Sequence, residues 1–365
     1  MKKYKIIFLL IFLFLINPRF SFAQKKTENI IIVTTDGFRW QEVFSGMDTA
    51  IANSGKFNQG DSAYIFKKYW ANDGNERRKK LLPFLWNTIA SHGQIYGNRN
   101  LGNKVNNSNP YWFSYPGYSE IFCGYVDTLV NSNSYKNNPH TNVLEFINKQ
   151  PKFKNKVAAF GAWEAFDRIL NKSRCGFPVI TAFELTGGTN PTTNEQLINS
   201  MLTDSYKAFN EGECLDVFTH YEAMEDLKTR KSKVLYIAYG ETDEWAHAGH
   251  YKDYLEAANQ FDEWLKNIWS YIQTDPQYKN KTSMFITVDH GRGDKNKEEW
   301  TSHGSDIEGA NQIWFAVMGP DTPAKGEITT EMQLYQKQFA QTIASLLGLE
   351  FKAEHPVAER IRQVK

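Results

Sequence analysis

Runs of β-branched and aromatic residues constrain this chain most, at 30–35, 234–239, 284–288 and 313–318, with a fifth at 156–160. A strand that is apolar throughout, without alternation, is buried on both faces, as in a parallel sheet. Between the runs lie helical patterns. In the segment 251–272, for instance, apolar residues recur at intervals of three and four. Strands alternating with helices predict an α/β fold, a doubly wound and mostly parallel sheet with helices on both faces. The stretches 98–109 and 130–140 are rich in Asn, Ser and Gly and read as loops over the active edge of the sheet. No internal repeat or linker divides residues 24–365, which read as a single catalytic domain with loop and cap insertions.

The first 23 residues stand outside that pattern. Lys2, Lys3 and Lys5 precede an apolar stretch at 6–16, and Ser21-Phe22-Ala23 places small residues before Gln24. This is the layout of a cleaved secretory signal peptide, and the stretch is short for a membrane span of about 20 residues. Cleavage would send the chain to the periplasm or the medium with no membrane attachment. It also takes the net charge from +1 to −3, because Lys2, Lys3, Lys5 and Arg19 are removed. With no basic stripe, nucleic acid is excluded as a bulk partner. An exported chain with three cysteines leaves at least one thiol free. Cys175 with Cys214 is the pair to test, against three buried thiols; such a bridge would contribute about 4 kcal/mol.

Chemistry-bearing residues fall where the apolar runs end. Asp36 follows the first run, Asp243 and His247 follow the run at 234–239, and Asp289 and His290 follow the run at 284–288. Ligands of open α/β sheets bind beyond the carboxyl ends of the strands. Asp243 and His247 share a helical face at a spacing of four. His303 arrives from the loop before the fourth run, and His250 is an alternative to it. Three Asp and three His suit zinc, with manganese or iron a poorer match, and are enough for two ions about 3.5–4 Å apart. Ser114 and Ser119 bracket a turn-like stretch ahead of a short helical start, where a hydroxyl would meet a positive helix dipole.

Thr35-Asp36-Gly37-Phe38-Arg39, Ser114-Tyr115-Pro116-Gly117, Asp243-Glu244-Trp245-Ala246-His247, Asp289-His290-Gly291 and His303-Gly304 occur in the order of the alkaline phosphatase superfamily. The chain resembles most its nucleotide pyrophosphatase/phosphodiesterase and bacterial phosphate-monoesterase branches, over roughly residues 28–320. The resemblance implies one zinc on Asp243, His247 and His303, and a second on Asp36, Asp289 and His290. It makes Ser114, where those branches usually carry Thr, the nucleophile that forms a phosphoserine. It further implies that Asn133, in Asn133-Ser134-Tyr135, donates to a phosphate oxygen.

The expected substrate is a small-molecule phosphate ester. Monoesterases of the family add Lys and Arg to clamp the extra charge. The corresponding segment here, Gly161-Ala162-Trp163-Glu164-Ala165-Phe166-Asp167-Arg168, lacks a Lys-x-Arg pair. Trp163 offers an aromatic surface to a diester leaving group such as a nucleoside, or packs in the core. Diesters are therefore favoured slightly. A sulfatase would need Arg where Tyr118 stands and a second Asp where Gly37 stands. A phosphoglycerate mutase would need a larger inserted domain. The remaining alternative is an exported binding protein that keeps the fold without catalysis.

Overall fold

The computed structural model describes residues 26–365; the leader at 1–23 lies outside them. The strands are β1 (Asn29–Thr35), β2 (Gly93–Tyr96), β3 (Asn103–Asn106), β4 (Val157–Gly161), β5 (Val179–Thr181), β6 (Val234–Tyr239), β7 (Thr282–Thr287), β8 (Gln312–Ile313), β9 (Phe315–Met318), β10 (Gly326–Glu327) and β11 (Met332–Tyr335). Eight form one sheet in the order β10-β2-β9-β7-β1-β6-β4-β5, and β11-β3-β8 form a second. In the large sheet only β9 runs against its neighbours. The doubly wound, mostly parallel α/β expectation holds.

β1 sits at the centre because every one of its residues is buried. Successive side chains point to opposite faces, so both faces of the sheet are covered at this strand. It pairs in parallel with β6, Thr35 beside Tyr239, and with β7, Thr34 beside Thr287. The helix Tyr251–Ile272 spans the predicted segment and buries Tyr254, Leu255, Ala258, Phe261, Leu265 and Ile268, positions spaced by one, three and four. Among the described residues, no helix is long and apolar enough to cross a membrane.

Three expectations are corrected. The run at 313–318 is not one strand: it breaks at Trp314, whose carbonyl accepts from Thr287 Oγ1 at 2.8 Å while its indole donates to Phe38 O at 3.0 Å. The chain changes sheets at that residue, with β8 pairing β3 and β9 pairing β7 and β2. The Asn-rich stretch at 98–109 is not all loop, since β3 runs through it beside β11. Cys175 and Cys214 are not bridged. All three cysteines are free and buried, Cys175 in the main core and Cys214 in a separate cluster with Ala162, Leu202 and Phe218.

The helix Ser114–Cys123 is anchored by Glu120, which is 1 % exposed. Its carboxylate accepts from Ser108 N, Asn109 N, Asn109 Nδ2 and Lys337 N, each within 3.0 Å. It thus ties the helix to two distant segments. Removing an acceptor strands buried donors, at roughly 1–3 kcal/mol for each left without a partner. Glu120→Ala should therefore lose about 3 kcal/mol, read as a lower urea midpoint with an unchanged slope; a variant within experimental error of wild type would show that water replaces the anchor.

Candidate metal centre

Parallel register brings the ends of β6, β1 and β7 to one edge. Asp36 follows β1 directly, and its N–H continues the ladder to Tyr239 O at 2.9 Å. The next residue, Gly37, turns the chain with φ 57°, and a Cβ there would lie 2.4 Å from Asp243 Oδ1. Only glycine lets the two loops approach so closely. Asp243 and His247 lie on the short helix Glu241–His247, whose start carries no side-chain cap. Thr242 on its first turn donates to Asp36 O at 2.5 Å and pairs with Thr35 Oγ1 at 2.8 Å. Ser114 is not in a turn but is the first residue of the helix Ser114–Cys123. Pro116 is accommodated because the first turn of a helix needs no N–H there.

Six predicted ligands and the serine meet at this edge. His290 Nε2 lies 3.2 Å from Asp36 Oδ1, 3.3 Å from Asp289 Oδ2 and 3.8 Å from Asp243 Oδ1. Ser114 Oγ stands 3.3 Å from the same nitrogen. On the other side, His247 Nε2 is 3.0 Å from Asp243 Oδ2 and 2.9 Å from His303 Nε2. Donor atoms of Asp36, Asp289 and His290 all lie within 4.8 Å of one another, as do those of Asp243, His290 and His303. His290 thus stands between two adjoining groups. It is fully buried, whereas the His247 side chain is 45 % exposed, so the first group forms the floor and His247 the rim.

The electrostatics call for cations. Burial, then the charge of Asp243, pushes the Asp36 carboxyl above its usual range, although His290 and Tyr118 pull it down. Burial and Asp36 push Asp289 well above. Burial opposes a charge on His290, yet Asp289, Asp36 and Asp243 outweigh it and hold the ring up to about 9. Asp36 Oδ1, Asp289 Oδ2 and His303 Nδ1 are buried without a hydrogen-bond partner. Buried acceptors left unpaired are costly, and coordination satisfies them. The residues therefore fit divalent metal: two carboxylates and an imidazole on the floor, one carboxylate and two imidazoles towards the rim.

The remaining predicted residues are placed as follows. Asn133 is exposed beside the start of the Ser114 helix, its Oδ1 accepting from Tyr115 N at 2.9 Å, and its Nδ2 has no partner among the described residues. Trp163 is half-buried, edge-on to Phe166 and bridged through its backbone to Glu213. Ser119 is buried, accepts from Asn138 Nδ2 at 2.8 Å and faces Cys123. His250 stacks on Trp245 and faces Asp253 instead of joining the centre.

Sequence reasoning missed four neighbours. Buried Arg292 donates to the carboxylate and the carbonyl of Asp243. Burial opposes the charge on Asp243, but Arg292, His247 and His303 hold its carboxyl well below the usual range. Tyr118 donates to Asp36 Oδ2 at 3.0 Å. Arg168 donates to Asn133 O and Tyr135 O, fastening the Asn133 loop. Glu213 is buried, and its carboxyl is pushed well above the usual range by burial and by Glu244, Asp36, Asp216 and Asp243. Of these only Tyr118 had a sequence signal, one helical turn beyond Ser114.

A sequence profile described as the Metalloenzyme superfamily matches residues 136–350, which include Asp243, His247, Asp289, His290 and His303. Solved structures similar in fold include the alkaline phosphatase PafA, at 10 % identity and a TM-score of 0.61, covering 93 % of this chain and 99 % of that one. The lipoteichoic acid synthase LtaP from Listeria monocytogenes matches at 12 % identity and a TM-score of 0.52, covering 89 % and 73 %. BT1596, a 2-O GAG sulfatase, matches at 14 % identity and a TM-score of 0.54, covering 90 % and 72 %. A search of curated protein sequences finds no match.

His303→Ala should lower bound divalent metal by about one equivalent with the fold intact, since it removes a loop imidazole packed only on the other ligand rings and no residue of the hydrophobic core. His250→Ala should leave the metal content unchanged. Elemental analysis of the purified variants decides, and the reverse pattern would exchange the two residues' roles.

Proposed function

The chain belongs to the Metalloenzyme superfamily, and on that premise we propose that it is an exported, zinc-dependent hydrolase of phosphoric esters that attacks with Ser114 and prefers diesters to monoesters. The observation that carries this reading is the position of Ser114 Oγ, 3.3 Å from His290 Nε2 at the junction of the two ligand groups and at a helix N-terminus. Asp36, Asp289 and His290 would hold one ion, and Asp243, His247 and His303 the other. Bound there, divalent metal supplies Lewis acidity and makes a hydroxyl nucleophilic at neutral pH.

The chain's own groups account for the rest. Ser114 Oγ gives up its proton and forms the bond to phosphorus as one ester oxygen leaves and takes up a proton. With a diester the phosphorylated serine still carries the second ester group, and water then breaks its Ser114 O–P bond to release a monoester. The helix dipole favours the negative phosphoryl group at Ser114. Asn133 Nδ2, left without a protein partner, is the donor for a phosphate oxygen, positioned by Tyr115 N and the Arg168 tether. Arg168 is occupied with Asn133 O, Tyr135 O and Glu164, so it does not replace the missing Lys-x-Arg clamp. Trp163 offers an aromatic face to the leaving group.

Zinc-loaded protein should hydrolyse bis-p-nitrophenyl phosphate faster than p-nitrophenyl phosphate, and p-nitrophenyl sulfate least. A preference for the sulfate would overturn the reading in favour of a sulfatase. Ser114→Ala should keep its metal and lose at least about a thousandfold in turnover, on the order of 4 kcal/mol of barrier. Ser119→Ala should lose far less. Acid-quenched wild type should carry a p-nitrophenyl phosphoryl group on Ser114 after bis-p-nitrophenyl phosphate, and phosphate after p-nitrophenyl phosphate, by peptide mass spectrometry, and N-terminal sequencing of exported protein should begin at Gln24.

A further inference from the structure

A second group of metal-binding side chains lies away from the sheet edge and shares no residue with it. Donor atoms of His140, Glu354 and His355 all fall within 4.8 Å of one another. His140 closes the loop that carries Asn133, and Glu354 and His355 belong to the C-terminal segment.

The hydrogen bonding of this group is incomplete in a particular way. His140 Nε2 is 2.7 Å from Asp127 Oδ2, the natural place for the ring's N–H. In that tautomer its Nδ1 is a lone pair, and it faces Glu354 Oε1 at 3.9 Å. Each ring nitrogen of His355 faces a carbonyl, Nδ1 that of Pro356 at 3.1 Å and Nε2 that of Thr141 at 3.3 Å. A neutral imidazole carries one N–H, so one of these contacts sets a lone pair against an oxygen. With both rings neutral, acceptors meet acceptors at each of them, and a cation relieves that repulsion. Ligands at about 2.0–2.2 Å from one tetrahedral zinc lie roughly 3–4 Å apart. Here His140 Nδ1 and Glu354 Oε1 are 3.9 Å apart and all three donors lie within 4.8 Å, so a small inward shift of the side chains would complete the set.

The surroundings orient the donors. Asp127 on the far nitrogen of His140 is the carboxylate–histidine arrangement that fixes a ligand's tautomer. Thr141 N donates to Glu354 Oε1 at 2.8 Å. The Tyr125 ring stacks on His355 at 5.1 Å and meets His140 edge-on at 5.3 Å.

We propose that His140, Glu354 and His355, with the Thr141 carbonyl beside them, bind one structural zinc ion that fastens the C-terminal segment to the Asn133 loop. Two imidazoles and a carboxylate form a set suited to zinc. The ion closes a loop of more than two hundred residues and adds to the ties of a segment whose Phe351, Ile361 and Val364 are already buried in the core.

The test separates this ion from those at the sheet edge. An Asp243→Ala/Asp289→Ala protein, stripped by chelator and checked for folding by circular dichroism, is titrated with zinc chloride by calorimetry. It should bind about one equivalent through this site beyond any residual binding at the damaged centre. Adding His355→Ala should abolish that equivalent, and adding Asp127→Asn should weaken it about tenfold or more. If the double variant does not fold, elemental analysis should find about one zinc fewer in Glu354→Gln than in wild type. Zinc binding unchanged by His355→Ala and by Glu354→Gln would overturn the site, whatever becomes of the hydrolase reading. An inactive enzyme that still loses one zinc on these changes would sink that reading alone.

Discussion

The parallel register of β7, β1 and β6 is the constraint on which the rest depends. Backbone hydrogen bonds place Thr35 beside Tyr239 and Thr34 beside Thr287, so three strands end within about a residue of one another. Whatever follows each strand must then share a small volume. Asp36 continues the ladder, Asp289 comes two residues past β7, and Asp243 enters on the first turn of the next helix. A slip of one residue would turn β1's inward side chains to the opposite face, with every position buried. The core therefore locks the site's geometry.

Gathering three carboxylates there has an electrostatic cost that the protein offsets only in part. Arg292 neutralises Asp243, Tyr118 donates to Asp36, and Gly37 N donates to Asp289. Two carboxylate oxygens remain buried with no partner. Around them the packing leaves no room for adjustment: a Cβ on Gly117 would lie 2.5 Å from Asp289 O. The helix Ser114–Cys123 is thus pressed against the strand end, held from behind by Glu120.

The strands and the residues at their ends were legible because both signals are local. An apolar run marks a buried strand, and a polar residue directly after it marks the edge. The reversal of β9 was invisible, since a strand buried on both faces is equally apolar in either direction. β3 was hidden because its Asn residues bond to side chains and turns instead of displaying a β pattern. The sequence left the Cys175–Cys214 bridge and three buried thiols equally open, because spacing gives a loop length and not the geometry a bridge needs, and the structure has the thiols. Arg292, Arg168 and Glu213 act across long sequence separations and carry no local mark. Ser114 and Ser119 lie five apart on one helix, and only tertiary packing shows Ser114 at the centre and Ser119 against Asn138.

The Asn133 loop is attached differently from the ligands. It is held by Arg168, by Tyr115 N, and by the Tyr115 hydroxyl to Lys136 O, exposed or part-buried contacts reached from the buried Tyr115. The ligand groups hang from buried strand ends. With Asn133 in the recognition role proposed for it, mutations in the loop would change what is recognised while sparing the scaffold that positions the ligand groups. In a duplicated copy of such a gene, new specificities are within reach of a few surface substitutions, whereas a new ligand set would require rebuilding the core. Divergence among relatives should accordingly be fast in the loop and slow at the sheet edge.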